Sequence, residues 1–276
     1  MSILEAILCG AVQGACEFLP ISSSGHLSLL HGLFGISAGD GSLAFDVLLH
    51  LGTLIAVTVC SFCDIVKIIR AFIGMVKKAV LGKLTFKEMS PDEKLALSLV
   101  CATMPMALAV FFDEKAEALS RYPTAVGAIM MINGIMLLAG GKIKGGKRKC
   151  HELPLCASVG VGLFQLTAIM PGLSRSGSTI TGGAVFGLSR EEAVKFSFLM
   201  SIPAIIGANI FEIGSVSDIP KADALPYAIG VITAAVVGFA AIGLIKKLAR
   251  KRNFNLFGIY CVALGAFAVI YSLIRT

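Results

Sequence analysis

The chain has 276 residues, of which 56% are hydrophobic and only 15% charged, and its mean hydropathy is +0.87, whereas soluble domains carry about 25% charged residues. That excess of apolar surface excludes a water-soluble globule. The formal net charge of +7 does not indicate nucleic acid, because the Lys and Arg residues gather between apolar runs, as they do in cytoplasmic loops, and not along one groove.

No polar, Pro-rich or Ser-rich linker divides the chain, so residues 1–276 read as one integral membrane domain. Met1 to Leu8 contains Glu5 and no basic residue, so no cleaved signal peptide is expected. Most of the eight cysteines (Cys9, Cys16, Cys60, Cys63, Cys101, Cys150, Cys156 and Cys261) lie within apolar runs and read as small buried hydrophobes. Cys60 and Cys63 form a C-x-x-C with no second pair and no nearby His, which argues against a metal or redox site.

In chain order, the stretch 2–34 is apolar but interrupted by Pro, Gly and Ser. Spans are expected at 43–63, 95–112, 124–141, 196–214, 225–245 and 254–274, each close to the length that crosses a bilayer. A second interrupted stretch lies at 153–187. The segments 64–94, 142–152 and 246–252 hold seven, five and five Lys or Arg, against two in 113–122 and one in 215–224. The first three read as cytoplasmic loops.

An odd number of crossings must separate 142–152 from 215–224, yet two apolar stretches lie between them. One must therefore enter and return. The stretch 153–187, with Pro171, Gly172, Gly177, Gly182 and Gly183 to turn the backbone, is the expected re-entrant hairpin, since non-helical backbone is tolerated at depth when protein surrounds it. If 2–34 does the same, it enters from outside, and both termini are external.

The halves, about 1–141 and 142–276, also match weakly. At a constant offset Gln13 pairs with Gln165, Ser22 with Ser174, Ser24 with Ser176 and Gly25 with Gly177, and the apolar runs 45–57 and 196–208 follow. The expected fold is all-α: six transmembrane helices plus two re-entrant helical hairpins in an inverted-topology repeat, a plan that puts the site near the midplane.

Two constellations carry chemistry. The first runs from Gln13 through Glu17, Pro20, Ser22, Ser23, Ser24 and Gly25 to His26. On a helix Gln13 and Glu17 share a face, and Pro20 ends that helix. A second helix starting near Ser24 would offer free N–H groups to an anion, and Ser23 and His26 have the spacing of a hydroxyl nucleophile and its base. The bland reading makes Glu17 structural, the serines caps and His26 a packing residue. Ionisable groups are costly within a membrane and mark sites by default, which favours function.

The second constellation is Pro171-Gly172-Leu173-Ser174-Arg175-Ser176-Gly177-Ser178-Thr179. Arg175 is the only basic residue between Lys149 and Arg190. A guanidinium forks onto phosphate oxygens, and the hydroxyls of Ser174, Ser176, Ser178 and Thr179 with a Gly-rich helix start complete a cradle. The competing reading is an internal ion pair from Arg175 to Glu17, which can coexist with ligand binding. Asp46, His50 and Glu212 carry a weaker signal and are set aside, and His31 and His151 read as bystanders.

Together these runs describe phosphoanhydride chemistry inside a membrane. They resemble the two signature motifs of the undecaprenyl-pyrophosphate phosphatase, or bacitracin-resistance protein, family, in order, separation and chain length. The resemblance implies a multi-pass enzyme of the bacterial cytoplasmic (inner) membrane that removes the terminal phosphate of undecaprenyl pyrophosphate, with a site opening to the outer face. It implies a divalent cation, magnesium with calcium as the alternative. Carried over by position, Glu17 with Gln13 assists the cation or water, Ser23 and His26 perform the displacement, and Arg175 holds the pyrophosphate. Ser22, Ser24, Ser174, Ser176, Gly177 and Thr179 belong to the substrate cradle. The family's first acidic position is Gln13 here, which cannot act as a base, so that burden falls on Glu17. The nucleophile is Ser23, His26 or an activated water.

The expected partners are the polyprenyl pyrophosphate lipid and the membrane, without nucleic acid, and a homodimer is left open. The phosphatidate-phosphatase class shares Ser24-Gly25-His26 but needs a His six residues after its Ser-Arg, where this chain has Thr181. The remaining rival is a flippase for the lipid carrier phosphate, since broken helices and inverted repeats are transporter features. It would not require Ser23 beside His26.

Overall fold

The computed structural model describes residues 1–35, 42–143, 145–211, 223–251 and 254–275. Glu212, most of the expected outer loop 215–224 and the end of the span 196–214 lie outside them. Among the described residues the protein is all-helical and multi-pass, with twelve α-helices and no strand beyond one isolated bridge between Arg148 and Leu188.

Each interrupted stretch is a pair of helices joined by a short break. The first comprises α1 (Ile3–Phe18) and α2 (Ser23–Phe34), the second α8 (Leu155–Thr167) and α9 (Arg175–Val185). The breaks follow from the sequence. Pro20 has no N–H to continue α1. In the second break Pro171 precedes Gly172, whose φ of +104° lies in the left-handed region. A Cβ on Gly172 would stand 2.7 Å from the Val126 carbonyl oxygen, so glycine is required there twice over.

The long apolar helices are α7 (Pro123–Lys142), α10 (Arg190–Phe211), α11 (Ala224–Lys251) and α12 (Asn255–Arg275). α5 (Pro91–Thr103) continues as a 3-10 helix over Met104–Phe111, next to Pro105. These five are long and apolar enough to cross a membrane, and a sixth crossing is counted only if the bent pair α3 (Ser42–Cys60) and α4 (Phe62–Val80) forms one span. α6 (Asp113–Ser120) is a short surface helix.

Three sequence expectations need correction. The span at 43–63 ends at Cys60, where the chain turns by 83° into α4. Segment 64–94 is therefore not a loop over most of its length, because its apolar residues recur at three- and four-residue spacing and form a helix whose lysines face one side. The basic segment 246–252 is helical through Lys251 as the end of α11, where cations complement the helix dipole.

α1 lies along α11 and α7 along α12. Small residues permit these approaches: a Cβ on Gly14 would stand 2.9 Å from the Gly238 nitrogen, and one on Gly134 2.8 Å from the Val262 nitrogen. By contrast nothing lies within 4 Å of a Cβ on Gly243. Gly14→Leu is expected to lower stability by about 1–3 kcal/mol or more through overpacking, and Gly243→Leu to change it little. Thermal unfolding in detergent compares them.

At the opposite end of α7, the Arg190 side chain donates to the carbonyl oxygens of Gly140, Gly141 and Ile143 at 2.8–3.1 Å. It thereby satisfies the orphan acceptors of that helix end. All eight cysteines are free. In the connecting segment, burial pushes the Cys150 thiol up, as expected of an inert buried sulfur.

Candidate active site between the two broken helices

The last turn of α1 brings Glu17 to the break, where it is 7% exposed. The Arg175 guanidinium donates to Glu17 Oε1, across 158 residues of chain. On the other oxygen, Oε2, Glu17 accepts from the Ser23 hydroxyl at 2.7 Å and from Gln13 Nε2 at 3.2 Å. One carboxylate thus joins a cation, a hydroxyl and an amide contributed by both broken helices. The Gln13 Oε1 atom is buried without a hydrogen-bond partner among the described residues. The internal ion pair is therefore present. A buried pair of this kind is weak evidence for stability, and its hydroxyl neighbour gives it a chemical reading.

His26 is oriented differently from its spacing. Its Nδ1 lies 2.7 Å from the Ser22 carbonyl oxygen, which can only accept, so Nδ1 carries the proton. Nε2 then accepts from the Tyr260 hydroxyl at 2.8 Å, and the two rings stack with centroids 5.6 Å apart. The hydroxyl of Ser23 is bonded to Glu17 and not to His26.

The two helix starts after the breaks share a construction. Ser22 Oγ accepts from the Gly25 N–H and Ser174 Oγ from the Gly177 N–H, both at 3.1 Å. Each of these hydroxyls also meets the one two residues on, Ser24 at 3.3 Å and Ser176 at 3.1 Å. Ser22 is the only non-glycine with positive φ among the described residues, at 70°. Such a conformation costs about 1–3 kcal/mol and clusters at functional sites.

The tips interlock. A Cβ on Gly25 would stand 3.0 Å from Gly172 Cα, and one on Gly177 3.3 Å from Pro20 Cβ. Ser176 donates to the Leu19 carbonyl oxygen at 3.0 Å. The hydroxyl of Thr179 bonds the Arg175 carbonyl oxygen at 2.9 Å and meets Ser197 Oγ at 2.6 Å, tying α9 to α10. Thus Gln13, Glu17, Ser23 and Arg175 converge. Ser22, Ser24, Ser174, Ser176, Gly177 and Thr179 form the surrounding caps and clamps, with Ser24 alone among them exposed.

Three further residues belong to this arrangement. His50, on α3, places Nε2 3.8 Å from Glu17 Oε2, while its Nδ1 donates to the Asp46 carbonyl oxygen at 2.8 Å. Asn133, fully buried on α7, donates to the Pro20 carbonyl oxygen at 3.2 Å and accepts from the Ser174 N–H at 3.0 Å. It pins both tips to one side chain. Tyr260, on α12, covers His26. A lone His or Asn in an apolar span is the available sequence signal, but nothing in the spacing reveals its partner.

The fate of the two matched glutamines differs. Gln165 is 1% exposed, and neither end of its amide has a hydrogen-bond partner among the described residues. Four residues on, where Gln13 has Glu17, it has Ile169. Gln165→Leu should leave activity intact and cost no stability, since an unsatisfied buried amide is itself unfavourable by about 1–3 kcal/mol. Gln13→Leu should impair turnover. Parallel thermal unfolding and phosphate-release assays distinguish the two.

The bacitracin resistance protein BacA family matches residues 6–267. Proteins named undecaprenyl-diphosphatase are similar over the full length. The one from Methanobrevibacter smithii is 38% identical, with 99% of each chain covered, and that from Moorella thermoacetica is 37% identical, with 100% of each covered. The one from Rubrobacter xylanophilus is 38% identical, covering 96% of this chain and 97% of its own. With nearly its whole length matched, and with both motifs meeting at one buried cluster, the chain belongs to the bacitracin resistance protein BacA family.

Proposed function

We infer that this protein is an undecaprenyl-diphosphatase, hydrolysing undecaprenyl pyrophosphate to undecaprenyl phosphate and inorganic phosphate. It thereby recycles the lipid carrier of cell-wall synthesis and confers resistance to bacitracin. The observation that carries the reading is the Arg175–Glu17–Ser23 chain, buried between two broken helices of a membrane protein. A lipid with a pyrophosphate head matches both halves of that description. Moving a lipid phosphate across the bilayer needs the cation but not a hydroxyl held on a carboxylate beside it.

The anionic pyrophosphate competes with Glu17 for the Arg175 fork, which binds phosphate oxygens in bidentate fashion. Glu17, released from the guanidinium, takes the Ser23 proton. Ser23 Oγ attacks the terminal phosphorus, and the bond from that phosphorus to the bridging oxygen breaks. Undecaprenyl phosphate leaves with the electron pair, and water then cleaves the phosphoserine to give inorganic phosphate. Arg175 stabilises the charge on the transferring phosphoryl group, the dominant requirement of such transition states. His26, fixed by Ser22 and Tyr260, borders the reacting groups.

Gln13 Oε1 and the Glu17 carboxylate are hard oxygen donors suited to a divalent cation completed by substrate oxygens. Magnesium, or calcium in its place, would be held there and would neutralise phosphate charge. Ser22, Ser24, Ser174, Ser176, Gly177 and Thr179 shape the cradle around the head group.

The inverted repeat is supported by paired contacts: α1 with α11 has its counterpart in α8 with α5, and the capped Ser-x-Ser-Gly turns correspond. The two broken helices then read as re-entrant hairpins, and α3, whose 19 residues are by themselves close to a bilayer's thickness, joins the five long apolar helices as the sixth span. The basic segments support a cytoplasmic side at 64–94, 142–152 and 246–252 in an inner membrane, and the family resemblance supports a site open to the outer face. Purified protein in detergent with magnesium should release phosphate from a polyprenyl pyrophosphate. Binding without release by folded protein would refute the enzyme reading.

A further inference from the structure

Helix α4 is not used by the chemistry, and its placement is unusual. Near its start Asp64 accepts from Lys195, in the second turn of α10, at 2.8 Å. Near its end Lys78 donates to Glu93, in the first turn of α5, at 2.7 Å. The N-terminal ends of α5 and α10 adjoin one another, since the short turn Cys150–Glu152 packs against both. Both ends of α4 are therefore tied to the same side of the bundle, although the helix rises about 21 Å from Asp64 to Lys78. With its 83° turn from α3, α4 runs across the end of the bundle and does not continue the line of α3, as a helix at a membrane surface would.

Its sequence fits that place. Ile65, Ile68, Ile69, Phe72, Ile73 and Val76 form one stripe, and Ile69 and Ile73 remain 52% and 62% exposed. Lys67, Arg70 and Lys77 occupy the other side and make no ion pair among the described residues. An apolar stripe opposite a basic row is the signature of a helix seated at a lipid interface.

Beneath α4 is a cavity of about 1000 Å³, walled by α4, α5 with its 3-10 extension, α10, and Ile169 from the break between α8 and α9. Among the described residues Thr103 is the only polar one in its lining, and its hydroxyl is spent on the Leu99 carbonyl oxygen at 2.8 Å. The walls include Val100, Met104 and Val110, all exposed, so the cavity opens at an apolar part of the protein surface.

We propose that α4 and this cavity form a binding site for an anionic diacyl phospholipid, with the phosphate along Lys67, Arg70 and Lys77 and an acyl chain in the cavity. The basic row decides the occupant: a polyprenyl tail threaded from the Arg175 site would use the cavity but has no use for three cations on α4.

The chain contains no Trp, so Phe72→Trp creates a single fluorophore in the cavity wall, with Ile73→Trp as a second position should the first fail to fold. The protein is reconstituted in vesicles containing acyl-chain-brominated phosphatidylglycerol or phosphatidylcholine. Brominated phosphatidylglycerol should quench more strongly, and Lys67→Gln, Arg70→Gln and Lys77→Gln together should lower the relative binding constant by about fivefold or more, with phosphatase activity in detergent unchanged. Equal quenching by the two lipids, or none by either, overturns the site. So does loss of quenching on adding stoichiometric polyprenyl phosphate, which would give the cavity to the substrate tail.

Discussion

Arg175→Ala and Glu17→Ala should each lower kcat by about a thousandfold or more, the range seen when a charge-stabilising group is removed from a phosphoryl-transfer site. Arg175→Lys should fare little better, because an ammonium cannot reproduce a two-pronged guanidinium contact. The pair also makes a prediction about stability that separates it from ordinary packing. The Glu17 and Arg175 side chains are only 6% and 16% exposed, so deleting one strands the other charge, at a cost of about 3–5 kcal/mol. Glu17→Gln combined with Arg175→Met leaves no stranded charge. The double variant should unfold at a higher temperature than Arg175→Met alone and remain inactive. Kinetics and thermal unfolding on the three proteins read both quantities. An active double variant would remove the pair from the mechanism.

The second large effect falls on Ser23. Ser23→Ala should lose about a thousandfold or more in kcat, comparable to removing a nucleophile elsewhere, whereas His26→Ala should lose about a hundredfold, the lower range for a positioned acid–base group. The difference rests on orientation: Ser23 Oγ is bonded to Glu17, while His26 has both ring nitrogens engaged, by Ser22 and Tyr260. Wild-type enzyme quenched in acid during turnover should carry phosphate on Ser23, and Ser23→Ala should carry none. An acid-labile label that survives only an alkaline quench would assign the attack to His26. Turnover of Ser23→Ala at the wild-type rate would assign it to water.

Much of this site was legible beforehand, and the reasons are local. Pro20, Pro171 and Gly172 interrupt helices wherever they occur, so the two breaks were readable from residue type. Glu17 and Arg175 stood out because each is an isolated charge in an apolar stretch, and the cost of burying it demands a partner. The four-residue spacing of Gln13 and Glu17 predicted a shared face, and they are hydrogen-bonded.

Other features were not legible. A count of lysines described 64–94 as a loop, because charge number carries no information on which side of a helix the charges lie. Only the apolar periodicity, together with the ion pairs at both ends, reveals α4 as a surface helix. Ser23 and His26 suggested a pair by spacing, yet the left-handed φ of Ser22 turns the start of α2 so that Ser23 meets Glu17. For His50 the sequence left a site role and a packing role equally open, and α3 sets its Nε2 3.8 Å from Glu17 Oε2.

The division has a physical origin. Composition, charge placement and helix breakers act over a few residues, so the sequence by itself determined a helical membrane protein with two broken helices and an isolated arginine in the second. Which groups touch is decided by contacts between segments more than a hundred residues apart, as in Asn133 with Pro20, Arg175 with Glu17 and Tyr260 with His26. Those pairings depend on close helix approaches that glycines such as Gly14 and Gly134 permit, and only the tertiary structure decided them.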